Sequence, residues 1–221
     1  MATLDPLYPL APSETIYLNG DQFVKTAFLG YRVLGSETKV NLQELGRAVL
    51  AGSMLAMEAA GELKIELEEY KRLIGKGRRI KLTPLGEQTS FPIPSLEAVL
   101  QEICTYLSHS EKGATAKDVV WAAVGKDDDH PWNMILDSVP PHLADRGLLE
   151  RIEEKKLKIF TVTNYELRED TRKLAREAPV APIQELLSTC EASRPDLWKQ
   201  LEREVNQAIS ARDSSDENDI D

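Results

Sequence analysis

LAGSMLAMEAAGELKIELEEYKRLIGKGRRIKL, residues Leu50 to Leu82, decides how this chain is read. Its first third is dense in small and apolar residues (Leu50, Ala51, Met54, Leu55, Met57, Ala59), too many for a helix with a solvent face, so a buried helix is expected. Gly61 suits the position just past its C-terminus, because a residue without Cβ adopts positive φ freely. Beyond it the helical period gives way to alternation. Leu63, Ile65 and Leu67 interleave with Lys64, Glu66 and Glu68, the pattern of a half-buried strand. Gly75 and Gly77 permit a reversal, and Ile80 and Leu82 resume the alternation. Helix, glycine and hairpin form the second half of a winged helix.

The same order recurs. Leu143-Ala144-Asp145-Arg146-Gly147-Leu148-Leu149 ends a helix at a glycine, and Ile152 to Leu167 offers two strand-like runs around Glu153-Glu154-Lys155-Lys156. The expected fold is mainly α with β-hairpins: two winged-helix-like units packed into one domain spanning residues 14–210. The first unit covers 14–83; the second, with the C-terminal helices, covers 95–210. Residues 1–13, with Pro6, Pro9 and Pro12, read as an extended arm, and the Pro-containing stretch Thr83 to Pro94 as the internal boundary. Residues 211–221, ARDSSDENDID, hold five acids and almost no apolar residue, so they read as a disordered acidic tail.

Between these landmarks the apolar spacing predicts helices. Ile16 to Leu34 reads as one, with Phe23, Val24, Ala27, Phe28 and Tyr31 on one side. Asn41, with Glu44 at the third helical position, is a cap for the next. Ser95 caps a helix over Leu96, Val99, Leu100, Ile103, Cys104 and Leu107, and Thr115 with Asp118 caps Ala116 to Val124. Trp132 to Arg146 is helical at both ends but must break or restart at Pro140-Pro141. Short helices follow over Arg168–Glu177 and Ile183–Cys190. The last helix, capped by Ser193 and Asp196, turns Leu197, Trp198, Leu201, Val205 and Ile209 inward.

At 221 residues, 42% hydrophobic and 29% charged, the chain suits one sizeable domain or two small fused ones. No apolar run reaches membrane-spanning length, and MATLDPLYPLAPSE lacks the basic and apolar regions of a secretory signal. Cys104 and Cys190 read as buried thiols of a reducing, cytoplasmic compartment. A net charge of −10 repels phosphate backbones and anionic lipids at long range, so contact with either requires a local basic patch.

Catalytic patterns are missing: there is no Gly-rich phosphate loop, no GxSxG and no HExxH. His109, His130 and His142 stand in unrelated contexts. Asp127-Asp128-Asp129-His130 is the one cluster of metal-ligand types. Adjacent side chains point in different directions, so a solvated acidic loop is expected there, with no metal and no cofactor. The chain reads as non-enzymatic.

The basic run is more informative. Lys71, Arg72, Lys76, Arg78, Arg79 and Lys81 fall within Lys71–Leu82 without an acid, and Tyr70, Leu73 and Ile74 are interleaved near the expected tip. Three readings follow. Apolar tip residues flanked by cations insert at an anionic bilayer surface; a basic wing grips nucleic-acid phosphates or a protein partner; or the cations pair with Glu66, Glu68 and Glu69 across the hairpin. In the second hairpin Leu157, Ile159, Phe160 and Val162 accompany Lys155, Lys156 and Lys158. One face is expected to pack on the domain, and any exposed remainder to serve homo-oligomerisation.

The chain resembles the Golgi phosphoprotein 3 family, phosphoinositide-binding adaptors with a helical core carrying β-hairpins. The likeness rests on Ala51-Gly52-Ser53-Met54-Leu55 through Gly61-Glu62-Leu63, on Thr83-Pro84-Leu85-Gly86 followed by Leu96–Leu107, and on Asp145-Arg146-Gly147-Leu148-Leu149 with Leu157-Lys158-Ile159-Phe160-Thr161-Val162-Thr163-Asn164-Tyr165-Glu166-Leu167. It spans about residues 14–210. It implies a peripheral membrane adaptor in vesicle trafficking on a Golgi-type membrane. The family's head-group Trp falls near Asn41, its first Arg at Leu50 or Ala51, and its Arg pair near Asn133 and Leu136, so no head-group ligand carries over. A winged-helix nucleic-acid binder is the alternative. Pro140 and Pro141 in the helix before the second wing, and the acidic balance, count against it.

Overall fold

Leu50 to Ala59 fold as the second half of a helix, and that helix is the hub of the molecule. The computed structural model describes residues 8–71, 75–125, 130–156 and 160–213. In chain order these form α1 (Pro12–Leu18), α2 (Gly20–Phe23), β1 (Thr26–Arg32), β2 (Lys39–Val40), α3 (Leu42–Ala59), β3 (Leu63–Lys71), β4 (Lys76–Pro84), α4 (Leu96–Ser108), β5 (Ala114–Thr115) and α5 (Ala116–Val124). There follow α6 (Pro131–Asp137), α7 (Val139–Asp145), β6 (Leu149–Lys156), β7 (Phe160–Leu167), α8 (Glu169–Glu177), α9 (Val180–Ser193) and α10 (Pro195–Asp213). The described residues are thus mainly helical, with small antiparallel sheets.

Asn41 caps α3, its side-chain oxygen accepting from the Glu44 amide at 3.0 Å. Leu45, Val49, Leu50, Met54, Leu55 and Met57 are all buried. No single stripe accommodates that many apolar residues, so α1, α4, α6, α9 and α10 pack around the helix. Gly52 lets α1 approach closely: a Cβ there would overlap Ile16.

Gly61 ends α3 with φ +75°, and the alternating run becomes β3 and β4. Leu63, Ile65, Ile80 and Leu82 are buried on one face. The register pairs Leu67 with Ile80, Glu68 with Arg79 and Glu69 with Arg78. β5 adds a third strand beside β4. The second occurrence follows the same order: α7, Gly147 at φ +73°, then β6 paired with β7. Pro140 and Pro141 fall in the first turn of α7, where missing amide donors are tolerated, so the helix restarts there as expected. Ser95 and Thr115 cap α4 and α5 as read from sequence.

Four expectations need correction. Ile16 to Leu34 is not one helix. It divides into α1, α2 and a hairpin, because Asn19 and Gly20 interrupt the helical pattern and Thr26-Ala27-Phe28-Leu29-Gly30-Tyr31-Arg32-Val33 is rich in residues that favour extended backbone. Helix begins at Pro12, and Leu10 to Ser13 are buried, so residues 10–13 are not an extended arm; residues 1–7 lie outside the described residues. Ser193 does not cap α10; its hydroxyl donates to the Thr189 carbonyl within α9. α10 runs on to Asp213, with Leu197, Leu201, Val205 and Ile209 buried, which shortens the expected tail to residues outside the described part.

Candidate functional site

The β3–β4 hairpin holds most of the residues singled out from sequence. Its cations face glutamates across the ladder. Lys76 Nζ lies 3.0 Å from Glu69, Arg79 Nε 2.5 Å from Glu68, and Lys81 Nζ 4.0 Å from Glu68. Arg78 lies 3.8 Å from Glu69 and reaches Asp196 on α10 at 3.2 Å. The hydrogen bond from Lys76 holds the Glu69 carboxyl below the usual range. Arg79 also stacks over the Tyr70 ring at 5.3 Å. Cross-strand pairing is therefore what Lys76, Arg78, Arg79 and Lys81 do in the folded chain. Lys71 is exposed at the end of β3. Arg72, Leu73 and Ile74 lie outside the described residues.

α10 and α5 hold this hairpin through one buried carboxylate. Glu204, 3% exposed, accepts from the Ile80 amide at 2.8 Å, the Lys117 amide at 3.2 Å and Gln200 Nε2 at 2.7 Å. Gln200 also donates to the Arg78 carbonyl at 2.8 Å.

In the second hairpin, Leu157, Lys158, Ile159 and the side chains of Lys156 and Phe160 lie outside the described residues. Its base is packed: Leu149 is buried, and Tyr165 and Leu167 rest against the core. Asp127, Asp128 and Asp129 are likewise outside the description. Among the described residues no group of three His, Cys, Asp or Glu could hold a metal ion.

Sequence reasoning missed the most exposed apolar feature. β1 pairs with β2 through Thr26 and Tyr31, both opposite Val40, so residues 27–30 bulge out between two points of attachment. Gly30 permits that neck; a Cβ there would overlap the Val40 carbonyl. Phe28 and Leu29, at the crest, are 94% and 79% exposed. Lys25, Arg32 and Lys39 flank them, with Glu37 paired to Arg32 at 3.6 Å. Tyr31 anchors the far side, its hydroxyl 3.0 Å from that of Tyr17 and the rings edge to face. The signal in the sequence was Gly30 among aromatic and β-branched residues, which weakens a helix and suits a bulged strand.

Beside this protrusion a cleft of about 600 Å³ opens between α2, α3, α9 and α10. Phe23, Leu187, Trp198, Leu201 and Val205 supply its apolar lining; Lys25, Glu44, Arg47, Glu191 and Glu202 supply charge. Arg47 lies over the Trp132 ring at 5.9 Å and donates to Asn206 at 3.5 Å. Burial raises the Glu202 carboxyl; Arg47 opposes that shift and Glu191 adds to it.

Other buried carboxylates serve the fold. Glu97 accepts from the Ser13 amide at 2.7 Å and the Ser13 hydroxyl at 2.8 Å. Glu14 accepts from the Ala11 amide and pairs with Arg146; burial still pushes its carboxyl up to about 7. Glu62 gathers Thr89 and Ser90 of the connector. Each lies away from the cleft lining.

No helix among the described residues is long and apolar enough to cross a membrane. No family model, no curated protein and no solved structure matches this chain.

Proposed function

We propose that this protein is a non-enzymatic peripheral adaptor that docks on an anionic membrane surface through its hairpins. The observation that carries the reading is the exposed Phe28–Leu29 pair, held on a narrow neck and flanked by Lys25, Arg32 and Lys39. Apolar side chains with cations beside them suit the boundary between lipid head groups and acyl chains. Removing a Phe and a Leu from water is worth about 1.5–3 kcal/mol each, and each nearby cation adds about 1 kcal/mol at an anionic surface. The β3–β4 hairpin has a secondary part, because its described cations other than Lys71 are paired, whereas beside the crest Arg32 is paired with Glu37 while Lys25 and Lys39 have no ion pair among the described residues.

We read α3–β3–β4 and α7–β6–β7 as two winged-helix-like units that present hairpins from a shared core. The resemblance to the Golgi phosphoprotein 3 family supports a cytoplasmic protein in vesicle trafficking at a Golgi-type membrane. Head-group selectivity is not part of the proposal, since the family's Trp and Arg positions are occupied by other residue types.

Flotation with vesicles of phosphatidylcholine, alone or mixed with phosphatidylserine, tests this. The wild type should float with the anionic vesicles, and the Phe28→Asp/Leu29→Asp variant should not, while melting at an unchanged temperature. Equal flotation of the two proteins would refute the assignment of the site.

A further inference from the structure

We infer that in solution a second copy of this chain covers the protrusion, each copy seating Phe28 and Leu29 in the other's cleft between α3, α9 and α10. Self-association and membrane docking then exclude one another. That second clause rests on the membrane reading; the first does not.

Two features of one face fit together. The crest is apolar and almost wholly exposed, so its own cleft does not shelter it. The cleft floor has matching character, with Phe23, Leu187 and Trp198 around about 600 Å³. Charge is complementary on balance: Lys25 and Arg32 flank the crest, while the cleft border carries Glu44, Glu191 and Glu202 against Lys25 and Arg47. Burial raises the Glu202 carboxyl, Arg47 offsets part of that and Glu191 adds to it, so a further cation from the partner would favour its charged form.

Placement decides the symmetry. Val24 and Lys25 line the cleft, and the protrusion begins two residues further on. A knob and its socket side by side on one face can be exchanged reciprocally about a two-fold axis, which closes the assembly at two copies and doubles every contact. A bilayer offers the same apolar pair an alternative partner, so lipid should dissociate the dimer.

Sedimentation velocity on the full chain across a wide concentration series tests the pairing. The wild type should dimerise as concentration rises, and Phe28→Asp/Leu29→Asp should stay monomeric. Two charge-reversed variants, Lys25→Glu/Arg32→Glu and Glu191→Lys/Glu202→Lys, should each be monomeric yet dimerise when mixed, because mixing restores both contacts. A monomeric wild type at every concentration, a dimeric Phe28→Asp/Leu29→Asp variant, or failure of the mixture to associate would overturn the inference. For the membrane clause, Trp198→Ala, which empties the socket without altering charge, should float several-fold more readily than the wild type. If neither protein floats while the wild type still dimerises, the membrane reading falls and the pairing stands. If both float equally, the mutual exclusion is wrong.

Discussion

Replacing Glu204 by alanine should be among the most damaging single changes in the chain, although the residue lies outside both proposed contact surfaces. Its carboxylate is the acceptor for two backbone amides, of Ile80 on β4 and Lys117 on α5, and for the Gln200 side chain. Gln200 keeps its bond to the Arg78 carbonyl, so it loses little. The Ile80 amide is buried, and a buried donor left unsatisfied costs about 1–3 kcal/mol; the Lys117 amide, at the exposed start of α5, can turn to water and loses less. Glu204→Ala should therefore destabilise by about 1–3 kcal/mol or somewhat more, a sizeable part of the roughly 5–15 kcal/mol typical of a domain. For a chain of this size each kcal/mol corresponds to about 2–4 °C in Tm. Glu204→Gln should fall between, because its oxygen can serve Ile80 while its amide opposes the Lys117 N–H. Thermal unfolding, with hydrogen exchange at Ile80 and Lys117, reads both effects. Glu111→Ala, at an exposed position, is the control. A Glu204→Ala protein within about 0.5 kcal/mol of wild type, the range of ordinary surface changes, would refute the reasoning.

Three further outcomes are expected. Reversing Lys76, Arg78 and Arg79 to Glu places like charges opposite Glu68 and Glu69 and beside Asp196, so Tm should drop by a few degrees before any membrane is added; an unchanged Tm would mean these pairs contribute nothing. Glu14 has a folded-state pKa of about 7 against an ordinary 4.5, so its contribution is fully present below about pH 4.5 and is lost as pH rises through 7. The loss approaches about 3 kcal/mol, and Glu14→Gln should flatten that part of the pH–stability curve; an identical slope in the variant would count against the assignment. Gly30→Ala should widen the neck at Val40 and weaken vesicle flotation while leaving Phe28 and Leu29 in place, whereas full binding would show that the neck's geometry does not matter.

How much of this was legible beforehand depends on the length and regularity of each pattern. α3 and the β3–β4 ladder were readable because Leu50–Leu82 changes period once, at a glycine, and every alternate residue then falls on the expected face. The caps at Asn41, Ser95 and Thr115 were readable because they depend on residues three apart. The β1–β2 hairpin was not. Phe23, Val24, Ala27, Phe28 and Tyr31 satisfy a helical stripe that masks the local signals at Gly20 and Gly30, and tertiary pairing of Tyr31 with Tyr17 and Val40 completes the extended form. The cleft was also hidden, since Phe23, Leu187 and Trp198 are brought together by the packing of α9 and α10 on α3. The basic run was legible as charge but not as function: its pairing with Glu68, Glu69 and Asp196 depends on register and on a helix more than a hundred residues away.

α1 is wholly buried, and polar groups in and beside it are answered by residues far later in the chain. Ser13 is bound to Glu97, Glu14 to Arg146 and the neighbouring Asn19 to Ala175, separations of 84, 132 and 156 residues. At a synthesis rate of about 5–20 residues per second, the last of these partners, the Ala175 carbonyl, follows its donor Asn19 by roughly 8–30 s. For much of that interval α1 can pack on α3, while Glu97, Arg146 and Ala175, which answer its polar groups and those of Asn19, are still to come. Completing the burial of α1 is thus a late step in the folding of the chain.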